Sequence, residues 1–178
     1  MSTDSVEQQP RIFRASSRDA RRLAAFASRM FRLTFESQNT PEDMAAHVAS
    51  AFSEALQRSE IDDPNGITLL AEQRDTLVGY AQLRAGEPPG CVSDRGALEL
   101  MRFYVDPTLH GRGFAHALMR ETLAVASSRA RSIWLGVWER NARAIAFYEK
   151  WGFVDVGQHQ FVLGTDRQID RIMWRALG

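Results

Sequence analysis

Residues 97–119, "ALELMRFYVDPTLHGRGFAHALM", decide how the rest of the chain is arranged. The first nine are largely apolar and read as a strand, which Asp106-Pro107 ends. Gly111 and Gly113 follow. A helix begins around Gly113, with Ala115, Leu118, Met119, Thr122 and Ala126 on one face. Beyond it, "SIWLGVW" (132–138) is apolar enough to be a strand buried on both sides. Strand, helix and strand from Ala97 to Trp138 form a right-handed parallel crossover.

The flanking sequence supplies mostly antiparallel partners. "RIFRAS" (11–16) reads as a first strand, and residues 17–35, rich in Ala, Arg, Leu and Phe, as a helix. Thr40 can cap the next helix, Pro41 fits its first position, and Asp43 suits its positive end. Met44, Val48, Phe52 and Leu56 recur every fourth residue, as one amphipathic helix requires. "ITLLAE" (67–72) and "LVGYAQLRA" (77–85), separated by "QRDT", predict a hairpin. "GEPPGCVSDRG" (86–96) is a loop by its glycines and prolines. Downstream, Asn141 caps a helix carrying Ala144, Phe147, Tyr148 and Trp151 on one face, and Gly152 ends it. Two last strands, about 153–163 and 171–177, flank the turn "GTDRQ" (164–168). The fold class is α/β (α+β). One mixed, mostly antiparallel sheet holds one parallel crossover, with helices on both faces.

Composition narrows the function. With 178 residues the chain can bury a substantial core. Lys plus Arg and Asp plus Glu both number 22, so no bulk charge favours nucleic acid. Cys91, the one cysteine, cannot form an intrachain disulfide and suits a reducing compartment. Residues 1–10, "MSTDSVEQQP", lack the basic start and apolar run of a signal peptide, and read as a flexible leader before a single domain over 11–178. No segment approaches the ~18 apolar residues of a membrane span, so a cytoplasmic protein with no membrane partner is expected. His47, His110, His116 and His159 show no zinc-like pairing, and no metal is expected. Cys91 has no nearby histidine in sequence to activate it, and no G-x-S-x-G elbow occurs.

The glycine turn has two readings. It is either a strand-to-helix turn that needs glycine for its backbone angles, or a cradle for an anion. A dinucleotide fingerprint fails because His116 holds the third glycine position, and a Walker loop fails for want of Gly-Lys-Ser/Thr. A third template remains. Backbone N–H groups of residues 111–115 can point inward at a pyrophosphate, which the helix dipole and Arg112 favour.

"FYVDPTLHGRGFAHALM" followed by "WERNARAIAFYEKWGFVDVG" resembles the GNAT superfamily of acetyl-CoA-dependent N-acetyltransferases. Its phosphate-turn pattern is met by His110, Gly113 and Ala115, with His110 in place of the usual Gln or Arg. Its second block is matched by Asn141, Ala144, Phe147, Tyr148, Gly152 and Phe153. The C-terminal half also resembles PaiA-type polyamine acetyltransferases, through "WLGVWE" and an ending of Phe161, Gly164, Gln168, Asp170, Ile172 and Met173.

The resemblance implies acetyl transfer from acetyl-CoA to an amine, a polyamine favoured. It also implies CoA contacts from Phe103, Tyr104, Val105, His110, Gly111, Arg112, Gly113, Phe114, Ala115, Asn141, Tyr148 and Lys150. A primary amine has a pKa of roughly 10 and must lose a proton before it attacks. In several superfamily members a glutamate fourteen places before the motif glycine assists, and Glu99 stands there relative to Gly113. Its other reading is a carboxylate facing solvent or an arginine. Tyr148 occupies the common position of the acid that protonates the departing thiolate; on periodicity alone it is a core aromatic. Lys150 could reach a nucleotide phosphate or be a surface lysine. Glu36, Asp62 and Asp63 are candidates for an acidic entrance. Dimers are common in the superfamily, which makes a homodimer an expectation. The competing readings are acetylation of a protein N-terminus or an antibiotic, and a catalytically silent acyl-CoA-binding module.

Overall fold

The computed structural model describes residues 9–36, 39–163 and 166–178, with 161–163, 166 and 167 described by their backbone alone. In chain order the elements are β1 (Arg11–Arg14), a 3-10 turn (Ser17–Asp19), α1 (Ala20–Phe35), α2 (Pro41–Ala51), α3 (Glu54–Asp62), β2 (Gly66–Gln73) and β3 (Thr76–Arg84). There follow β4 (Leu98–Val105), a second 3-10 turn (Pro107–Leu109), α4 (Phe114–Ser127), β5 (Ser132–Trp138), α5 (Ala142–Lys150), β6 (Val154–Leu163) and β7 (Asp166–Ala176). The strands form one sheet in the order β1-β2-β3-β4-β5-β7-β6. Only β4 and β5 run parallel, as the crossover requires.

Two boundaries differ from the sequence reading. The helix expected to run from Pro41 through Leu56 is two helices. Phe52 leaves the helical region at φ −131°, and Ser53 Oγ accepts the Leu56 N–H at 3.2 Å to start α3. A good cap overrides a continuous apolar spacing. The last strand begins at Asp166 rather than near 171, because Asp166, Arg167 and Gln168 already pair with Leu163, Val162 and Phe161. Gly164 and Thr165 lie outside the described residues, as do residues 1–8 of the leader. The "QRDT" turn holds Arg74 and Asp75 at φ 49° and 61°, the left-handed pair of a tight hairpin.

Burial sorts the sheet into two faces. Ile67, Leu69 and Ala71 of β2 pack with α4, Leu135 and Tyr148, whereas Leu70, between them in sequence, packs with Leu23, Phe26 and Met30 of α1. So α4 and α5 cover one face and α1 the other. Further along the α1 face a smaller cluster of Val92, Ala97, Trp134 and Ile172 lies beneath the 85–97 loop. Cys91 from that loop rests against Gly157, where a Cβ would come within 2.8 Å of its sulfur.

Strand β4 changes face part-way. Gln82 pairs with Arg102 and Leu83 with Leu100, leaving Met101 as an extra residue. Leu98, Leu100, Phe103 and Val105 therefore join the α4 side, and Tyr104 the α1 side. Arg102, with the α1-side residues, donates to Glu60 (2.6 Å), Gln82 (2.7 Å) and the Ala51 carbonyl (3.2 Å), tying α2 and α3 to the sheet.

The sheet also opens. β4 and β5 pair only at Leu98↔Ile133 and Glu99↔Trp134, then run on unpaired to Val105 and Trp138. Consecutive strand residues aim their peptide groups at opposite edges. Asp106 N–H bonds the Val78 carbonyl (2.8 Å), so Tyr104's groups point to β3 and those of Phe103 and Val105 into the gap. By the same count Glu139 N–H, bonded to Ile169 (3.0 Å), sends those of Gly136 toward β4.

Candidate active site

A cleft of about 420 Å³ follows this gap through the sheet. Its walls are Phe103, Tyr104 and Val105 of β4, the turn at His110, Gly111 and Gly113, and Asn141, Phe147, Tyr148 and Lys150 around α5. Met30 and Thr34 of α1 close the opposite end.

The glycine turn is shaped for a ligand. Gly111 and Gly113 have φ of +78° and +83°, which L side chains rarely adopt. Steric crowding by the protein is not the reason for glycine here. A Cβ at Gly111 would meet nothing within 4 Å, and one at Gly113 only Gln9 Nε2 at 4.0 Å. Bare backbone thus faces open space. Helical bonding begins with Ala117 N–H donating to the Gly113 carbonyl (2.9 Å), so the earlier N–H groups of α4 have no intrahelical acceptor. An anion placed there meets those donors and the helix dipole. The geometry fits the pyrophosphate of CoA.

His110 contributes a side chain as well. Its Nε2 lies 3.2 Å from the Val105 carbonyl and 3.5 Å from Arg143 Nη2. Burial, then the Arg143 charge, holds its pKa below the usual imidazole value, so the ring is neutral at pH 7. Phe114 is a core residue and Arg112 is exposed; neither side chain lines the cleft. Ala115 does.

Asn141 caps α5, its Oδ1 accepting the Ala144 N–H at 3.1 Å while it also lines the cleft. Two turns on, Tyr148 is wedged edge-on between Phe147 (5.6 Å) and Phe153 (5.7 Å), with Phe103 at 6.4 Å. Burial, and secondarily the neighbouring Tyr104, pushes its phenol pKa well above the usual value. Tyr148 is therefore a neutral donor at any physiological pH.

Glu99 stands apart. It lies where β4 and β5 are still joined, pairs with Arg84 at 2.5 Å, and does not line the cleft. The bulge at Met101 puts it on the α1 side of the sheet. Asp62 accepts from Ser17 Oγ (2.9 Å) and Asp63 from the Asn65 N–H (2.8 Å), both at the joined end of the sheet. Glu36 follows Phe35 at the end of α1 and lies 3.9 Å from Arg32. Sequence reasoning missed Met30, Thr34, Arg143 and His116, which also line the cleft. Arg143 alone had a local signal, a cation between the capping Asn141 and Ala144.

The acetyltransferase (GNAT) family matches residues 27–153. The chain belongs to this family. A curated relative, the uncharacterized N-acetyltransferase Rv2669 of Mycobacterium tuberculosis (strain ATCC 25618 / H37Rv), is 39% identical over 160 residues, 89% of this chain and 98% of that protein. Among solved structures, PaiA N-acetyltransferase from Thermoplasma acidophilum in complex with coenzyme A has TM-score 0.75 at 20% identity, covering 95% of this chain and 99% of that one. Mutant forms of the spermidine/spermine N-acetyltransferase SpeG from Vibrio cholerae have TM-score 0.64 at 21% identity, covering 95% of each chain. This GNAT chain is an acetyl-CoA-dependent N-acetyltransferase. No helix among its described residues is long and apolar enough to cross a membrane.

Proposed function

We propose that residues 11–178 form one acetyltransferase domain that acetylates a small primary amine, polyamines first among the candidates. The observation that carries this is a cleft that crosses the sheet, with the glycine turn at one end and α1 at the other. A substrate entering on the α1 side meets the acetyl group in the gap between β4 and β5.

Acetyl-CoA supplies an activated thioester. The residues of the chain do the rest. The turn at Gly111 and Gly113 and the start of α4 hold the pyrophosphate, with Lys150 and Arg143 as cations at the rim. Peptide groups of Phe103 and Val105 face the gap, where an N–H aimed at the thioester oxygen stabilises the charge that develops on it. Tyr148 donates to the departing sulfur. Burial that disfavours its phenolate disfavours a bare thiolate beside it too, so the two remain matched closely enough for donation.

Support for the polyamine class is the resemblance to PaiA-type enzymes and a carboxylate near the α1 end of the cleft, Asp170; Asp62 and Asp63 are too far along the sheet to serve. The test is CoA release with spermidine, spermine, simple diamines and a peptide amine offered separately, products being identified by mass. Acetylated polyamine is the expected result. Acetylation of the peptide alone would move the assignment to protein N-termini, and tight acetyl-CoA binding with no turnover would make the chain a sensor.

A further inference from the structure

With Glu99 held by Arg84 outside the cleft, the acceptor amine needs another group to take its proton. Beside the gap, on its α1 side, stands another carboxylate, just beyond the residues that line the cleft. Asp170 of β7 sits between Trp138 on β5 and His159 on β6 in the register. Its Oδ2 and His159 Cε1 each lie 3.4 Å from the position a Cβ would take on Gly136. Gly136 is the one exposed residue of β5, and its peptide groups face the gap. Asp170 thus overhangs the unpaired edge of β5, while Tyr104 on the facing edge of β4 lies close enough to feel the Asp170 charge. The ring of Phe35, from α1, reaches Trp138 at 6.0 Å and walls this corner.

The partners of Asp170 are few. Among the described residues no arginine, lysine or backbone N–H bonds its carboxylate. Other half-buried acids here are claimed: Glu99 by Arg84, Glu60 by Arg102, Glu72 by Arg11 and Arg22. The titratable groups facing it are His159 from β6 and Tyr104 from β4, with Arg102 acting on Tyr104 from behind. β5 offers Gly136 and Trp138, and the α1 residues placed nearby, Met30 and Thr34 in the cleft wall and Phe35 against Trp138, are uncharged. Burial raises its pKa above the usual carboxylate range, and His159 pulls it part of the way back. Such a carboxylate accepts a proton nearer neutral pH than a free aspartate does.

We propose that Asp170 is the base that takes a proton from the acceptor amine, with His159 positioning and tuning it. This rests on the reading of the chain as an amine acetyltransferase. An ammonium group docks beside Asp170 and gives one proton to the carboxylate, directly or through a water. The freed lone pair forms the N–C bond at the acetyl carbonyl, whose π electrons move to oxygen. As the C=O re-forms, the C–S bond breaks and sulfur leaves with the electron pair, taking a proton from Tyr148. The second proton lost by nitrogen passes through water to restore the phenol. Asp170 returns its own proton to solvent.

The experiment follows CoA release by the full chain from pH 6 to 10 with the amine panel, for wild type, Asp170→Asn and His159→Gln, alongside acetyl-CoA affinity. Asp170→Asn should lower kcat/KM for the amine about 100-fold near pH 7. Its residual rate should keep climbing with pH as free amine accumulates, and acetyl-CoA affinity should stay within about 2-fold. His159→Gln should fold even if the first variant does not, and should move the acidic limb of the profile to higher pH, because it removes the charge that lowers the Asp170 pKa. If wild type turns over and both variants keep its profile, the assignment falls while the amine acetyltransferase reading stands. If wild type binds acetyl-CoA yet acetylates no amine, that reading falls and takes the assignment with it.

Discussion

The two ends of the cleft are built by different means. At the α4–α5 end the site is made of local devices: a left-handed glycine turn, an exposed helix start, a capping asparagine and a tyrosine two turns beyond it. At the α1 end Tyr104 lines the cleft, and the proposed base beside it depends on distant strands brought into register, with Asp170, His159, Gly136 and Tyr104 coming from four different strands. In the proposed function the common requirement, holding acetyl-CoA, falls to backbone and short-range sequence. The variable requirement, choosing and deprotonating an amine, is there assigned to side chains whose neighbours depend on strand pairing.

Substitutions can break or sharpen that division. Tyr148→Phe should have the largest effect, lowering kcat about 100-fold while acetyl-CoA affinity changes less than about 2-fold. Equal losses in both would make Tyr148 a packing residue and erase the distinction at its centre. Gly113→Ala should act the other way. A non-glycine residue in this left-handed conformation costs about 1–2 kcal/mol, and its methyl group would intrude on the proposed pyrophosphate site. Calorimetric titration should show acetyl-CoA affinity reduced about 10-fold, with Tm about 2–6 °C lower.

Asp170→Asn offers a sharper contrast because its effect on stability should oppose its effect on rate. A carboxylate whose folded pKa lies above its unfolded one binds protons more readily in the native state. Its contribution to stability is therefore most favourable below the unfolded pKa and is lost as pH rises through the folded pKa. Above its folded pKa the ionised, half-buried group opposes folding, and asparagine removes that opposition. Tm of the variant should exceed wild type at pH 7, by about 1–3 °C, and the gain should vanish under acid. The smallest effect belongs to Glu99→Gln, expected within about 3-fold of wild-type kcat at every pH. A 100-fold loss there would return the base to β4.

The same division explains what could be read from sequence. The strand–turn–helix at 97–119, the cap at Asn141 and the stop at Gly152 depend on neighbours a few residues away, and each lies where its pattern placed it. Glu99 shows why the acceptor side was harder. Simple alternation along "ALELMRFYV" puts Glu99 on the same face as Phe103 and Val105, toward the cofactor. The extra residue at Met101 reverses that, and nothing local in the sequence announces a bulge. Asp170 stood in a recognisable closing pattern, but its pairing with His159 and Trp138 is a property of the finished sheet. The break between α2 and α3 was obscured for a related reason, since Phe52 keeps its buried place on either side of a helix end.

The parting of β4 from β5 has a consequence for solvent exchange. Strands β2, β3 and β7 have a partner on both edges, but Phe103, Val105 and Gly136 point their amides into the gap. In deuterated water without ligand, those amides should label quickly, although they lie in the middle of the molecule. The intervening Tyr104 amide, committed to β3, should label slowly. Adding acetyl-CoA should protect Phe103 and Val105 while leaving Tyr104 unchanged. The cosubstrate would then act as a missing rung of the sheet, and its arrival would register as a pattern alternating residue by residue along one strand.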